Sequence, residues 1–582
     1  MTFASGPSRS VHGRYTLRMM SRLAPLVLLV TAACSAETPR SALLVTIDTI
    51  RPDALALYGG PAGATPTLTS LAAEGLVFDQ ARTVAPITLP SHASMMTGLY
   101  PIRHGVRDNG WAPLPADAET LAELAREAGY ETAAFVGSVV LKGDWGLGQG
   151  FDVYDEPVET GAQSDAHYTR RDAREVVDAA LGWLEARDTG KPFFAWLHFF
   201  DPHAPYAPPP EHLKRAGGNP YHGEAAFVDA ELGRFCDALR AAGAWGDLTV
   251  VVVGDHGESL GEHGEATHAS FCYDSTLKIP LVVRAPGLPN PGTRSSATVS
   301  AVDVLPTVAA ALDLPVSDGV DGVSLTAAIA PDRGIYAESY YGYLQYGWSP
   351  LAGWIEGGSK YLHSPTPELY DLSADPGELR NVADERANDL DRYRQRMGEL
   401  LARPRLNVIR GDDGGRSEEL ASLGYASAGN SATSLPEPLE PSDRPSPFDS
   451  RWEQEAIDRA SQLVFEGRNA EAVTVYKTIR QRHRGNPTVL GELAIALMRT
   501  QELGEAESVL RELLSMGSER AIDHLNLAVC RQKKGDLAGT EKHLRRALEL
   551  NPKHAQGRAH LVSVLRSQGR LAEAAQVQAA AP

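Results

Sequence analysis

Asp48, Asp255 and His256 are the residue types that hold a divalent cation of intermediate hardness: two carboxylates and an imidazole. Asp48 follows a short β-branched apolar run at 43–47, and Asp255-His256 follows a second one at 248–253. In an open parallel sheet the polar side chains just beyond the carboxyl ends of strands meet along one edge, which would bring the three together. An aspartate after a strand also serves as a turn or capping residue, so Asp48 by itself has a structural reading as well. Thr88 lies at the start of a helix-like run that reaches Gly98, with Pro90 two residues on. It either caps that helix or sets its hydroxyl against an anion held by the exposed N–H groups and the helix dipole. A cation at Asp48, Asp255 and His256 would lower the pKa of that hydroxyl and yield an alkoxide nucleophile.

These positions need a scaffold. From 41 to 403, apolar β-branched runs alternate with amphipathic stretches, which predicts an α/β sheet covered by helices on both faces. The strands are expected at 43–47, 133–136, 193–197, 248–253 and 279–283, and helices at 118–128, 173–186 and 224–242. The segment 404–450 differs in kind. Its latter part holds prolines 436, 438, 441, 445 and 447 among Ser, Glu and Asp without periodicity, the composition of an extended, semi-rigid linker. From 451 to 582 the chain turns Ala/Leu-rich, and Gly467, Gln501, Gly535 and Gly569 recur every 34 residues, each opening a turn before a helix. That period is the tetratricopeptide (TPR) period, so three to four repeats are expected, an all-α solenoid whose groove would dock a protein or peptide; a generic helical bundle is the plainer alternative.

The 582 residues carry 55 Lys+Arg against 74 Asp+Glu, a net charge of −19. The repeats are net +4, which leaves −23 in residues 1–450 and no basic stripe for nucleic acid. Four cysteines (Cys34, Cys236, Cys272, Cys530) do not make a disulfide scaffold. Residues 1–34 read as a signal segment starting at Met19 or Met20: Arg22 is the basic region, 23–30 the apolar run, and Thr31-Ala-Ala-Cys34 the exit. Ending on a cysteine, it resembles a bacterial lipoprotein signal, which implies lipid on Cys34, membrane attachment and a place in the bacterial cell envelope. A plain secretory peptide is the alternative, and both readings export the protein.

Longer motifs carry a resemblance. Leu44-Val-Thr-Ile-Asp-Thr-Ile-Arg-Pro-Asp53, Thr88-Leu-Pro-Ser-His-Ala-Ser-Met-Met-Thr-Gly98, Val253-Gly-Asp-His-Gly-Glu258, Leu277-Lys-Ile-Pro-Leu-Val-Val-Arg-Ala-Pro-Gly287 and Glu368-Leu-Tyr-Asp371 follow in order. They resemble the sulfatases of the alkaline phosphatase superfamily over roughly 41–385. The resemblance implies an alkaline-phosphatase-like fold and a metal-dependent ester hydrolase with Asp48, Thr88, Asp255 and His256 at one divalent ion, with Ca, Mg, Mn and Zn all open. Family sulfatases place Cys or Ser where Thr88 stands and Arg where His92 stands, and oxidise the former to formylglycine. Thr88 cannot give that aldehyde, so the set looks like the phosphodiesterase and phosphotransferase branches, in which Thr is the nucleophile. The same resemblance implies that Asn109 donates to a phosphoryl oxygen, that His203 and His268 contact the transferring group or protonate the leaving oxygen, and that His92 and Lys142 help bind substrate. Asp201, His203 and His268 alternatively hold a second metal. A phosphodiester is favoured over a sulfate ester. A sulfatase proper, a phosphotransferase, and an inactive envelope scaffold acting through its repeats are the alternatives. His198, on an apolar strand, and His263 read as structural or solvated.

Overall fold

The computed structural model describes residues 40–157, 171–408, 434–517, 520–552 and 554–580. The signal segment with Cys34, and the stretch 409–433 of the linker, lie outside the described residues.

Among the described residues twelve strands form two sheets. The strands are β1 (Ser41–Ile47), β2 (Leu76–Arg82), β3 (Glu131–Val136), β4 (Val153–Asp155), β5 (Phe193–Phe199), β6 (Leu248–Gly254), β7 (Leu281–Arg284), β8 (Thr293–Ser300), β9 (Ile335–Ser339), β10 (Leu351–Glu356), β11 (Ser359–His363) and β12 (Glu368–Asp371). The large sheet runs β4-β3-β5-β1-β6-β7-β2-β8. Only β7 runs against its neighbours, pairing antiparallel with both β6 and β2. β1 sits at the centre, and its alternate residues feed two cores: Ala42 and Leu44 pack on one face with Trp196 and Met95, while Leu43, Val45 and Ile47 pack on the other with Phe199 and Phe227. A strand buried on both faces reads as an unbroken apolar run, which is why β1, β5 and β6 were legible beforehand.

Helices cover both faces. Helix Ala173–Ala186 opens with a reciprocal capping box between Asp172 and Glu175, a local signal that fixes its start. Helix Thr88–Thr97 is buried along its whole length and stops at Gly98, whose φ of 67° is the left-handed conformation of a helix end. The helix expected at 118–128 is Leu121–Glu127, started by Thr120 and Glu123, and the one expected from 224 begins at Pro220, capped by Asn219.

A second sheet, β12-β11-β10-β9, is antiparallel throughout. Its outer side shares a core with the C-terminal helices: Phe271, Trp348 and Leu362 cluster with Ile457, Tyr476 and Leu493. Those helices form four antiparallel pairs, Arg451–Phe465 with Asn469–Arg482, Pro487–Arg499 with Leu503–Ser515, Ala521–Lys533 with Leu537–Leu550, and Ala555–Ser567 with Leu571–Ala579. The four recurring turn residues all have positive φ: Gly467 (76°), Gln501 (63°), Gly535 (81°) and Gly569 (76°).

The described part of the proline-rich stretch has no helix or strand before Phe448. Residues 434–450 are bound to the α/β body: Tyr340 Oη donates to Pro436 O, Ser349 N to Pro445 O (2.9 Å), and Ser446 Oγ meets Ser364 Oγ. Prolines lack N–H groups but keep carbonyls, and here those carbonyls are the attachment points. Trp348 Nε1 then donates to Glu453 on the first repeat helix at 3.0 Å, and Thr488 Oγ1 to the carbonyl of Gln345 at 2.6 Å. The repeats are seated on the body by this seam. Cys236, Cys272 and Cys530 are buried free thiols. Among the described residues no helix is long and apolar enough to cross a membrane.

Candidate active site

β1 and β6 are adjacent and parallel with Ile47 opposite Gly254, so Asp48 and Asp255 leave the sheet side by side at its carboxyl edge. The chain turns sharply there: Thr49 has a φ of 49°, a rare conformation for a β-branched residue, and its N–H donates to Asp255 Oδ1 at 3.2 Å. The same oxygen accepts from the N–H of His256 at 2.7 Å, which leaves Asp255 Oδ2 with no hydrogen-bond partner. Asp48 is fully buried, and neither of its carboxylate oxygens has a partner. His256 Nδ1 lies 3.0 Å from the carbonyl of Gly257; a carbonyl only accepts, so the ring proton sits on Nδ1 and the Nε2 lone pair faces the carboxylates. Nε2 is 3.5 Å from Asp48 Oδ1 and 3.6 Å from Asp255 Oδ2.

A divalent cation fits this set. Among the described residues, Asp48, Asp255 and His256 are the one group of three acidic, His or Cys side chains whose ligand atoms lie within 4.8 Å of one another. Ligand–ligand edges near 3.5 Å fit bonds of about 2.1 Å in a tetrahedral shell and of about 2.5 Å in an octahedral one, so a small or a larger divalent cation fits between these ligands. Electrostatics agree. In the metal-free protein burial, reinforced by Asp255 and Glu258, pushes the Asp48 carboxyl well above its usual range, and burial does the same to Asp255. Burial, with His268 nearby, holds His256 well below the ordinary imidazole value, so the ring is neutral, as a metal ligand must be. Two buried carboxylates without donors are costly alone and are satisfied by a cation.

Thr88 is the first residue of its helix; the N-cap position belongs to Ile87, and no side chain caps there. Its hydroxyl lies 3.3 Å from His256 Nε2, beside the candidate ligand group. The capping reading of Thr88 is therefore replaced by a hydroxyl directed at the ligand cluster. The open helix end is served instead by Asn109, whose Oδ1 accepts from Leu89 N at 2.8 Å. That bond orients the amide and leaves the buried Nδ2 without a partner. Beside it, burial raises the Asp108 carboxyl well above its usual range, and both its oxygens are unpartnered.

His92 lies one helical turn behind Thr88. Its Nδ1 donates to the Thr88 carbonyl at 2.8 Å, and its Nε2 meets Thr46 Oγ1 at 3.0 Å. Both ring nitrogens are thus engaged by the chain, and burial takes its pKa down to about 4. His203 stacks on Phe200 and donates from Nδ1 to the carbonyl of Ala204 at 2.7 Å. His268 has its ring 4.5 Å from that of His256 and 5.2 Å from that of His203, so the histidines line one wall. Lys142 is half-buried between two short helical turns that follow β3.

Sequence reasoning missed three participants. Glu258 accepts from His268 Nδ1 at 3.0 Å and from Tyr206 Oη at 3.0 Å, and so orients His268. Its position within Val253-Gly-Asp-His-Gly-Glu258 was visible, but only the fold brings it to His268. His198, read as structural, has a buried Nε2 3.7 Å from Asp48 Oδ2, and Thr46 joins it to His92. The strand register that pairs Thr46 with His198 is the missing signal. Asp201 Oδ2 accepts from Ala173 N at 2.8 Å and thereby holds a helix start. Among the described residues Asp201, His203 and His268 do not form a second cluster of metal ligands.

Comparisons with known proteins agree with this architecture. The sulfatase family model matches residues 40–314, a model for the C-terminal part of N-sulphoglucosamine sulphohydrolase matches 261–403, and tetratricopeptide repeat models match 463–522 and 525–582. The chain is 26% identical over 423 residues to the uncharacterized sulfatase YidJ of Escherichia coli K12, covering 59% of this chain and 83% of that one. It is 24% identical to an N-acetylglucosamine-6-O-sulfatase of Bacteroides thetaiotaomicron, over 62% of this chain and 86% of the other. Among solved structures, a complex with D-glucosamine-2-N,6-O-disulfate aligns with a TM-score of 0.54 at 21% identity, covering 62% of this chain and 97% of that one. The phosphonate monoester hydrolase of Agrobacterium radiobacter aligns at 0.52 and 22%, covering 68% and 100%. Those structural likenesses establish the fold. The chain belongs, through its α/β body, to the sulfatase family of hydrolases in the alkaline phosphatase superfamily, and carries tetratricopeptide repeats at its C-terminus.

Proposed function

We propose that this protein hydrolyses a phosphate ester, a diester in preference to a sulfate ester, with Thr88 as the nucleophile. The observation that carries the reading is the Thr88 hydroxyl, 3.3 Å from His256 Nε2 and free of any capping duty. Its β-carbon bears a methyl group, so oxidation there cannot give the aldehyde on which formylglycine sulfatases depend. Asp48, Asp255 and His256 would hold the divalent cation, Ca, Mg, Mn or Zn. When bound, that cation supplies positive charge that lowers the hydroxyl pKa and takes up charge on the ester oxygens. The Thr88 hydroxyl releases its proton to solvent, its Oγ1 bonds to phosphorus as the bond to the leaving alcohol breaks, and the electron pair stays with the leaving oxygen. Asn109 Nδ2 offers its N–H groups to the non-bridging oxygens, and the positive end of the helix Thr88–Thr97 dipole favours their charge. His268, oriented by Glu258, and His203 stand on the wall from which a proton reaches the leaving oxygen. Water attacks phosphorus in the second half, and Thr88 Oγ1 departs with its electron pair and regains a proton.

The repeats would dock a protein or peptide partner, and the signal segment would export the chain to the bacterial cell envelope and anchor it through lipid on Cys34. The test of the chemistry compares an aryl phosphodiester, an aryl phosphomonoester and an aryl sulfate, with and without chelator, for wild type and Thr88→Ala. Fastest turnover of the diester, its loss with chelator, and its loss in Thr88→Ala are expected. Fastest turnover of the sulfate refutes the phosphorus preference, and full activity in Thr88→Ala refutes the nucleophile. No turnover of any ester with any metal favours the scaffold.

A further inference from the structure

Thr46 lies on β1 two residues before Asp48, fully buried, at a junction of three aromatic side chains. Trp196 Nε1 donates to Thr46 Oγ1 at 2.9 Å. His92 Nε2 lies 3.0 Å and His198 Nδ1 3.2 Å from the same oxygen. A hydroxyl has one proton to give and two lone pairs to receive with, so three contacts saturate it and their directions can be worked out. The His92 Nδ1 proton is fixed by the Thr88 carbonyl, 2.8 Å away, so in the neutral ring Nε2 is an acceptor and takes the Thr46 proton. Trp196 and His198 must then both be donors to Thr46. The proton of neutral His198 is therefore on Nδ1, and its Nε2 carries a lone pair.

That lone pair is buried, has no hydrogen-bond partner, and lies 3.7 Å from Asp48 Oδ2, itself unpartnered. The opposite tautomer would point an N–H at Asp48 Oδ2 and compete with a cation for that oxygen. The tautomer set by Thr46 instead turns the negative end of the imidazole dipole towards the carboxylate and deepens the well for positive charge. The same hydroxyl holds His92 beneath the nucleophile residue. We propose that Thr46 is a positioning residue of the metal-loaded site: through His198 it keeps Asp48 open to the cation, and through His92 it fixes the backbone of Thr88. The inference rests on the reading of Asp48, Asp255 and His256 as cation ligands.

The test titrates Mn²⁺ into the full-length chain, with free Mn²⁺ followed by electron paramagnetic resonance and folding by thermal melting. Thr46→Ser, which keeps the hydroxyl, binds within about threefold of wild type. Thr46→Val, which keeps the shape and removes the hydroxyl, weakens binding by roughly 10- to 100-fold, the usual scale for loss of a residue that orients metal ligands. His198→Asn offers an amide N–H to Thr46 in place of Nδ1 but nothing in place of Nε2, and weakens binding at least about threefold while melting near wild type. A purely structural Thr46 lowers the melting temperature and leaves Mn²⁺ affinity unchanged, so a folded Thr46→Val that binds as wild type overturns the proposal. Where Thr46→Val does not fold, wild-type affinity in His198→Asn overturns it. A wild-type chain that takes up no divalent ion overturns the underlying cation site and this proposal with it.

Discussion

Replacing Thr88 by valine exchanges a hydroxyl for a methyl group of nearly equal size and keeps the β-branch. The structure assigns opposite effects to the two readings of that hydroxyl. As a helix cap it would be worth about 1 kcal/mol, and its loss would lower the melting temperature by about 1 °C in a domain of this size. But Thr88 is the first helical residue, makes no capping bond, is buried, and meets only His256 Nε2 at 3.3 Å. Removing a buried hydroxyl with one long contact changes stability by less than about 0.5 kcal/mol, because little hydrogen bonding is lost and a desolvation cost disappears. Catalysis should collapse, since the covalent route goes with the oxygen. A fall of at least about a thousandfold in kcat/KM, near 4 kcal/mol of transition-state stabilisation, is expected from the residual activity that positioning alone supports. The assay is release of an aryl alcohol from a phosphodiester, including a pre-steady-state burst that reports the covalent intermediate, alongside thermal melting. Retention of more than about a tenth of wild-type kcat/KM, or a clear drop in melting temperature with activity kept, refutes the reasoning.

Asn109→Asp keeps the oxygen that accepts from Leu89 N and loses the Nδ2 donors, so kcat should fall about 100- to 1,000-fold, while Asn109→Ala also forfeits about 1 kcal/mol of stability; equal activity in Asn109→Asp and wild type would remove Asn109 from the site. In the metal-free protein the Asp48 and Asp255 carboxyls lie above their unfolded value of 3.8, so their contribution to stability is full below that pH and is lost as pH rises through the raised folded values. Cation binding needs both ionised, so Mn²⁺ affinity should climb with pH over the same interval and uptake should release protons, which calorimetry in two buffers measures; affinity that falls with rising pH contradicts the ligand assignment. Gln501 occupies a left-handed turn position (φ 63°) that glycine fills in the other three repeats, so Gln501→Gly should stabilise the array against urea by about 0.5–1 kcal/mol, and a destabilised variant would speak against the turn assignment.

The parts of this molecule that could be read beforehand are those whose signals are local. β1 and β6 are continuous β-branched runs closed by aspartate, and Asp172 with Glu175 announces the helix Ala173–Ala186. β8 escaped because it is an edge strand rich in Thr, Arg and Ser with three of its eight residues exposed, and β2 because Asp79, Gln80 and Arg82 interrupt its apolar pattern. The second sheet is made of strands of four to six residues with glycine and charged residues among the aromatics, too short for a period to emerge. At the site the same division holds. Asp48, Asp255, His256 and Thr88 announce themselves by chemistry next to an element end, whereas Glu258, Thr46 and His198 matter through what a neighbouring strand or loop brings opposite them. At residues 434–450 the prolines suggested an extended, semi-rigid linker, but composition could not say that their carbonyls fasten it to the α/β body.

That fastening governs how anything held by the repeats would meet the catalytic centre. A flexible tether gives a captured molecule an effective concentration that depends on linker length, and lengthening it changes the encounter only gradually. Here Trp348, Phe271 and Phe448 belong to one core with the first repeat helices, so the array behaves as a bracket and not as a leash. The direction of approach, and not the span of the linker, would then be the quantity that selects any partner of the repeats, and each added or deleted 34-residue unit would swing the far end of the bracket to a new bearing instead of merely moving it farther away.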